Sequence, residues 1–331
     1  MEFRKEIEVA KVLIGDKVEN ATIEIRYDPL TLQSSRIINR SFPIGVARDF
    51  EEDIEYSKVK CPFCGDKIEK IVARDPEIAK GNLWRRGEAV LFSNIVPYSK
   101  YSIIIRISES HYLDLSEFKQ DYFVDAFILA QDYIRNLPDG RFYISIGMNY
   151  LKPAGSVVVH PHIHLLVMEN STDYFARLDW SALEFKEKNG EDFWKLLVEA
   201  ERNGDRYIGR TTKTDWIAAY APKGFYHFIG IPEEKEFAKM SAEQLRGFAE
   251  GIVKVLRYYK NKGLNSFNFT FFCADTLGDH FRTNLHIIAR SPFSRYYWCD
   301  VLFPKMLHDE AIVFFVPEEY AKEIREMWDE L

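Results

Sequence analysis

The chain has 331 residues, of which 47% are hydrophobic and 15% aromatic, so it is long enough to bury a large core in one big domain or two medium ones. Its formal net charge of −7 argues against a nucleic-acid-binding surface, because such proteins are usually basic. The sequence has no Arg-rich or apolar leader and no apolar run of roughly eighteen residues, which predicts a cytoplasmic protein without a membrane segment.

A tight cysteine pair lies in the N-terminal third, as Cys61-Pro-Phe-Cys64 followed by Gly65. Four cysteines in a chain this long do not form a disulfide framework, whereas a turn of this kind directs two sulfurs toward one metal ion. A redox dithiol and an ordinary surface turn are the alternatives. Two cysteines supply only half of a tetrahedral zinc site, so a metal centre needs two more ligands from elsewhere.

Hydrophobic periodicity predicts a β-β-α-β-β order twice along the chain. The predicted elements of the first copy are strands at 89–92 and 101–107, an amphipathic helix at 116–136, and strands at 142–147 and 157–168. Those of the second copy are strands at 216–220 and 225–231, a helix opened by the capping box Ser241-Ala-Glu-Gln244, and strands at 267–272 and 283–290.

The spacing between the two copies is nearly constant. Ser241 and Phe267 each lie 125 residues after Ser116 and Phe142, and His286 lies 126 residues after His160. Such a spacing predicts a duplicated unit, in which two similar halves form one α+β body. A chance similarity of two α+β halves is the alternative.

Three histidines alternate with apolar residues in the last strand of the first copy: His160, His162 and His164. Because successive side chains of a strand alternate between its faces, all three rings project from one side of the sheet. Imidazole acts as nucleophile, proton carrier or metal ligand near neutral pH, so the cluster indicates chemistry at phosphorus or at a metal. The alternative is a polar sheet face without chemistry.

At this strand the chain resembles the histidine triad superfamily, and in particular its galactose-1-phosphate uridylyltransferase branch, which carries a His-Pro-His-x-Gln motif. The segment Asn149-Tyr-Leu-Lys-Pro-Ala-Gly155-Ser156 is similar to that branch's approach to the triad. The resemblance implies antiparallel sheets with helices packed on one face. It also implies an N-terminal half at 1–175 with the zinc loop and the active site, and a C-terminal half at 176–331 that lacks the triad.

The resemblance also implies roles for single residues. The middle histidine, His162, attacks the α-phosphorus of a nucleotide and holds the nucleotidyl group, with His164 beside it. A structural Zn²⁺ is held by Cys61, Cys64, His111 and His160, where His111 comes from a Ser-x-x-His segment; without the resemblance, His111 is an ordinary surface residue. The predicted contacts to the nucleotide or its phosphates are Arg40, Asn149, Gly155 and Ser156.

Two arguments from the residues accompany these roles. The planar Arg40 guanidinium can engage two phosphate oxygens at once, although an isolated arginine is often simply solvated. The loop around Gly155 is expected to offer backbone N–H groups to phosphoryl oxygens, and a Cβ at Gly155 would block that approach; a simple turn glycine is equally compatible with the sequence.

Departures from the family pattern bear on the substrate. His164 stands where the uridylyltransferases have Gln, and hydrolase branches of the superfamily keep a histidine there. The two-half architecture with the zinc set favours a nucleotidyltransferase acting on nucleotide sugars or related nucleotides. His164 favours the alternative, a hydrolase or phosphorylase that uses the same histidine. A non-catalytic nucleotide or metal binder is the third hypothesis. By resemblance, the protein forms a homodimer.

Overall fold

Helices and mainly antiparallel strands alternate along the chain, which confirms the predicted α+β class. The computed structural model describes residues 1–38 and 44–331. In these two ranges the helices are α1 (Glu51–Val59), α2 (Lys67–Ile71), α3 (Gln120–Arg135), α4 (Asp173–Asn189), α5 (Phe193–Glu201), α6 (Ala242–Asn261), α7 (Phe303–His308) and α8 (Pro317–Glu326). The strands there are β1 (Lys5–Ile14), β2 (Lys17–Tyr27), β3 (Ser34–Ile38), β4 (Trp84–Arg86), β5 (Ala89–Ser93), β6 (Tyr101–Arg106), β7 (Tyr143–Tyr150), β8 (His162–Met168), β9 (Tyr207–Thr211), β10 (Thr214–Ala218), β11 (Phe225–Pro232), β12 (Phe267–Cys273), β13 (Asn284–Ala289) and β14 (Ala311–Val313).

One antiparallel sheet carries both copies of the predicted unit. Its strand order is β4-β5-β6-β8-β7-β12-β13-β11-β10-β9, with β7 and β12 paired at the centre. Read outward from that central pair, each half presents the same succession of strands, and each places its long helix, α3 or α6, between its second and third repeat strands. The duplication predicted from the spacing is therefore present in the fold.

The two long helices pack against each other on one face of this sheet. Helix α6 begins with the predicted capping box, in which Ser241 Oγ accepts from the Gln244 amide and the Gln244 side chain accepts from the Ser241 amide. Helix α3 begins at Gln120 instead of at residue 116. The reason is local, because the Asp114 carboxylate accepts from both the amide and the hydroxyl of Ser116 and holds that segment in a turn.

The register of the two halves corrects one part of the predicted alignment. Gly147 pairs with His164 in the first half, and Phe272, which lies 125 residues after Gly147, pairs with Asn284 in the second. By this pairing Asn284 corresponds to His164. The pairing on the other side gives His286 instead, because Ile104 pairs with His164, and Ile229, which lies 125 residues after Ile104, pairs with His286. By neither pairing is His286 the counterpart of His160. The sequence spacing missed this because the connections before β8 and β13 differ in length.

The opposite face of the sheet is covered at its two ends and half-exposed between them. Helices α4 and α5, which belong to neither repeat, pack on it in the C-terminal half, and the cysteine-containing segment packs on it in the N-terminal half. Between these covers, alternate residues of β8, β7, β12 and β13 are partly exposed, while their neighbours face the buried core. The histidine-bearing strand lies in this uncovered strip.

The N-terminal strands form a separate sheet of order β1-β2-β3-β14, in which β3 and β14 are parallel. Residues from both ends of the chain thus meet in one sheet. The predicted division at residue 175 falls inside α4 and stays a prediction. Within the described ranges, none of the helices combines the length and the apolarity that crossing a membrane requires.

Candidate active site and metal centre

The structure brings the four predicted metal ligands together. One ligand atom from each of Cys61, Cys64, His111 and His160 lies within 4.8 Å of the others. The Cys64 sulfur is 3.3 Å from Nδ1 of both histidines, and the Cys61 sulfur is 3.6 Å from Nδ1 of His160. An ion held tetrahedrally at about 2.3 Å from sulfur and about 2.0 Å from nitrogen separates those two ligand atoms by about 3.5 Å. The cluster can therefore hold a metal ion.

The hydrogen bonds of both histidines leave the correct ring nitrogen available to the ion. His160 Nε2 lies 2.8 Å from the Ser108 carbonyl oxygen, which can only accept, so Nε2 carries the proton. His111 Nε2 lies 2.8 Å from Ser57 Oγ, and the Ser57 hydroxyl donates to the Ile54 carbonyl. Both Nδ1 atoms then present a lone pair to the sulfurs, as a metal site requires. Sequence reasoning missed Ser57, because a serine in α1 carries no motif.

Burial sets the electrostatics of this cluster. It raises the pKa of the Cys61 thiol to about 12 and lowers the pKa of His160 to about 4. A buried thiolate is costly without a compensating cation. The donor set of two thiols and two neutral imidazoles suits a divalent ion such as zinc, which binds deprotonated sulfur and neutral nitrogen.

His162 is held in one tautomer by the backbone. Its Nδ1 donates to the His160 carbonyl oxygen at 2.7 Å, so the lone pair is on Nε2. Burial lowers the pKa of His162, an effect that this hydrogen bond partly opposes. The ring of Phe63, from between the two cysteines, packs edge-on against the His162 ring with 5.3 Å between centroids. The cysteine turn therefore fixes the position of the His162 ring as well as the metal ligands.

His164 lies beside His162 with its ring half-buried, and burial lowers its pKa to about 4. Its Nδ1 is buried, and no described residue offers it a hydrogen-bond partner. The ring of Tyr98, an exposed residue that follows β5, stacks on His164 with 6.2 Å between centroids. No sequence motif had indicated Tyr98. A buried ring nitrogen without a partner marks a position where a ligand atom could be accommodated.

The loop before the triad is hydrogen-bonded internally. The amides of Ala154, Gly155 and Ser156 donate to carbonyls of Leu151 and Lys152, and the Ser156 hydroxyl donates to the Val158 carbonyl. These donors have partners inside the loop, so this arrangement gives no support to the prediction that the loop offers its N–H groups to phosphoryl oxygens, and it stays a prediction.

The Gly155 prediction left two explanations open, and the conformation supports the turn glycine while the approach of a phosphate stays a prediction. Gly155 has φ of +87°, and a Cβ there would meet no heavy atom within 4 Å. Its positive φ alone accounts for the glycine.

Asn149 remains as a donor at the predicted phosphate site. Its Oδ1 accepts from Asn268 Nδ2 at 2.7 Å, and its own Nδ2 has no partner among the described residues. Asn268 comes from the C-terminal half, where it alternates with Phe267 and Phe269 on β12. That alternation was a usable signal, because a polar residue between buried aromatics must face the other side of the sheet. Arg40, also predicted at this site, lies outside the described residues.

On the same face of the sheet, the second half contains a series of hydrogen bonds that links two histidines. The Lys223 amide donates to His227 Nδ1, His227 Nε2 lies 2.8 Å from His286 Nδ1, and His286 Nε2 lies 3.0 Å from Asn284 Oδ1. Both nitrogens of each ring are thus engaged. His286 has no free nitrogen for a substrate, in contrast to His162 and His164.

Comparison with known proteins was made for both sequence and structure. No family model matches the sequence. A protein from Archaeoglobus fulgidus described as "Uncharacterized protein" is 64% identical over 331 residues, which is 100% of each chain. Among solved structures, an ADP-glucose phosphorylase from Arabidopsis thaliana with bound ADP-glucose superposes with a TM-score of 0.70 at 16% identity, covering 92% of this chain and 99% of that one.

Two further structures give the same result. A galt-like protein from Arabidopsis thaliana has a TM-score of 0.67 at 18% identity, and a uridylyltransferase has a TM-score of 0.66 at 15% identity; each covers 92% of this chain and is itself covered to 98%. At these identities the likeness establishes the fold. The fold expected from the sequence resemblance is therefore confirmed.

Proposed function

We propose that this chain, which belongs to one family with the Archaeoglobus fulgidus protein and has the uridylyltransferase-like fold, transfers a nucleotidyl group through a covalent intermediate on His162. The substrate class is a nucleotide sugar or a related nucleotide. The observation that carries the proposal is the hydrogen bond from His162 Nδ1 to the His160 carbonyl, because it leaves the Nε2 lone pair free on a neutral ring.

The reaction proceeds in two displacements. The Nε2 lone pair of His162 forms a bond to the α-phosphorus, the bond from phosphorus to the bridging oxygen breaks, and the leaving phosphate departs with that electron pair. An acceptor oxygen then attacks the same phosphorus, and the N–P pair returns to Nε2. The Nδ1 proton stays on the ring throughout and donates to the His160 carbonyl, which stabilises the charge that develops on the imidazole.

Charge on the phosphoryl oxygens is stabilised by donors around His162. Asn149 provides its amide Nδ2, and Arg40 is retained as a phosphate partner on the strength of the sequence resemblance. Gly155 and Ser156 act by shaping the loop, because their own donors are used within it. His164 lies beside His162 on the half-exposed face of β8, where its ring is placed to meet the leaving group or the acceptor.

The metal we assign to the cysteine–histidine cluster is zinc in a structural role. Cys61, Cys64, His111 and His160 complete a four-ligand shell, which leaves no position for a reactive water. Its contribution is to pin the Phe63 turn and the start of the triad strand together, which keeps the His162 ring in place.

A phosphorylase is the second candidate. His164 favours it, since this position is Gln in the uridylyltransferases, and an ADP-glucose phosphorylase is among the proteins that share this fold. In that case inorganic phosphate is the acceptor, and the chemistry at His162 is unchanged. The homodimer expected by resemblance stays a prediction.

The test is to incubate the protein with ADP-sugars, UDP-sugars and dinucleoside polyphosphates that are radiolabelled at the α-phosphate. We expect a protein-bound label that is labile in acid and stable in base, as a phosphoramidate is. His162→Gly should abolish it, whereas His308→Asn, which changes an exposed histidine on α7, should not. Release of the label by phosphate identifies the phosphorylase, and release by sugar phosphates the transferase. Substrate turnover without any bound label contradicts the proposal.

A further inference from the structure

A single asparagine from the C-terminal half contacts two parts of the candidate site. Asn268 Nδ2 donates one hydrogen to Asn149 Oδ1 at 2.7 Å and the other to the Ala154 carbonyl at 2.9 Å. Its Oδ1 accepts from Arg290 Nη1 at 2.7 Å. Both polar atoms of the side chain are therefore hydrogen-bonded, and they connect β7, the loop before the triad and the residue that follows β13.

The chain of bonds has a fixed direction. A guanidinium has five N–H donors and no acceptor, so the atom of Asn268 that meets Arg290 must be the carbonyl oxygen. The atom of Asn268 that meets Asn149 is then the amide nitrogen, and Asn149 must accept with its own oxygen. Arg290 cannot turn away, because Asp300 binds its Nε and Nη2 at 2.5–3.0 Å and both side chains are nearly buried.

Because its oxygen is engaged by Asn268, the Asn149 side chain has its Nδ2 group free to donate. Gly147 pairs with His164, and continuing this antiparallel register places Asn149 beside His162 on the same face. We propose that Asn268 and Arg290 are positioning residues that fix the amide of Asn149 with its N–H₂ group toward the phosphoryl group at His162. This inference rests on the proposed function and extends it to residues that do not touch the substrate.

Free asparagine amides rotate and offer oxygen or nitrogen with similar ease. An Asn149 that presented its oxygen would repel the phosphoryl oxygens, while one that presents its N–H₂ group donates to them. A donor that is oriented before the reaction needs no reorganisation when charge develops. The buried ion pair between Asp300 and Arg290 thus fixes the orientation of Asn268. Asn268 in turn fixes the Asn149 amide so that its N–H₂ group faces the active site.

Asn268→Asp is the informative variant. It preserves the shape and keeps an acceptor for Arg290, but it removes the donor to the Ala154 carbonyl, so the melting temperature falls and the rates are compared at a temperature where both proteins are folded. Both oxygens at position 268 then accept, which turns the Asn149 amide round and directs its oxygen at the site. Losing one such donor typically slows a reaction about 100-fold, and we expect that loss in the rate of label transfer to His162. Asn20→Asp, on the exposed β1–β2 hairpin, adds the same charge far from the site and should change nothing.

A double-mutant cycle separates this role from general damage. If Asn268 acts through Asn149, then Asn149→Ala with Asn268→Asp should be as slow as Asn149→Ala alone, within about twofold. Multiplied losses, or an unchanged rate in Asn268→Asp, overturn the inference.

The same cycle measured on the equilibrium affinity for ADP and UDP distinguishes the inference from the proposed function. If the wild type forms no covalent adduct yet shows the non-additive loss of nucleotide affinity, the proposed function fails and the positioning role stands. A wild type that binds neither nucleotide contradicts both.

Discussion

Replacing Ser57 by Ala should weaken zinc binding although no ligand is removed. The Ser57 hydroxyl oxygen is 2.8 Å from Nε2 of His111, and this contact determines that Nδ1 of His111 presents its lone pair to the Cys64 sulfur. Without the hydroxyl, the Nε2 proton of a buried ring loses its acceptor, and the alternative tautomer, which cannot bind the ion through Nδ1, becomes accessible.

The magnitude follows from the burial of the two partners. Leaving a buried donor unsatisfied costs about 1–3 kcal/mol. His111 is 7% exposed, but Ser57 is only half-buried, so water can reach the vacated position and reduce the loss. We therefore expect the lower part of this range, about 1.4 kcal/mol, which corresponds to a tenfold increase in the Kd for zinc.

The assay is competition for zinc against a chromophoric chelator, at a pH where the ligands are neutral or anionic. Ser110→Ala is the matched control, because Ser110 is exposed and lies next to His111 but makes no hydrogen bond to its ring among the described residues. A zinc Kd for Ser57→Ala within twofold of the Ser110→Ala value would refute the reasoning about the tautomer.

Three further changes are expected to have measurable effects. Burial by itself raises the pKa of Asp192, but the hydrogen bonds and charge of Arg282 outweigh burial and lower the pKa below its usual value. The ion pair therefore stabilises the fold fully above about pH 4, and this stabilisation is lost as the pH falls through the pKa of Asp192 in the folded protein. Asp192→Asn should therefore cost about 3–5 kcal/mol of unfolding free energy at pH 7, with a smaller difference from wild type below pH 4; a pH-independent difference in urea unfolding contradicts this. Gly251→Ala should destabilise by about 1–3 kcal/mol in spite of better helix propensity, because a Cβ there overlaps the indole of Trp216, and a rise in melting temperature would disprove that overlap. His164→Gln should still accept the label on His162 while its release by phosphate slows relative to its release by sugar phosphates, and an unchanged ratio would exclude His164 from acceptor choice.

The sequence was most informative where periodicity or a motif had a single physical cause. The capping box at Ser241 predicted local structure that the fold contains, and so did the alternation of His162 and His164. His160 lies two residues before β8, so the predicted strand at 157–168 begins later than expected. The cysteine motif by itself predicted only Cys61 and Cys64 as metal ligands. The two distant histidines were predicted only through the family resemblance, because spacing along a chain does not specify which separate loops meet.

The remaining features depend on three-dimensional contacts that no local pattern encodes. The turn at Asp114 shortened α3 through two side-chain hydrogen bonds, and the Ser156 hydroxyl has its partner inside its own loop. That His286 is not the counterpart of His160 follows only from the strand register, which a constant offset in the chain does not fix. Asn268 reaches the site only because β7 and β12 pair at the centre of the sheet.

The residue that holds the nucleotidyl group is the central element of the proposed reaction. Trapping the protein with an α-labelled ADP-sugar or UDP-sugar, digesting it at alkaline pH and mapping the modified peptide by mass spectrometry locates that group. We expect a nucleotidyl mass increment on His162, which is absent in His162→Gly although that variant unfolds at the wild-type temperature. An increment on another residue, or catalytic turnover retained by His162→Gly, would contradict the proposed reaction.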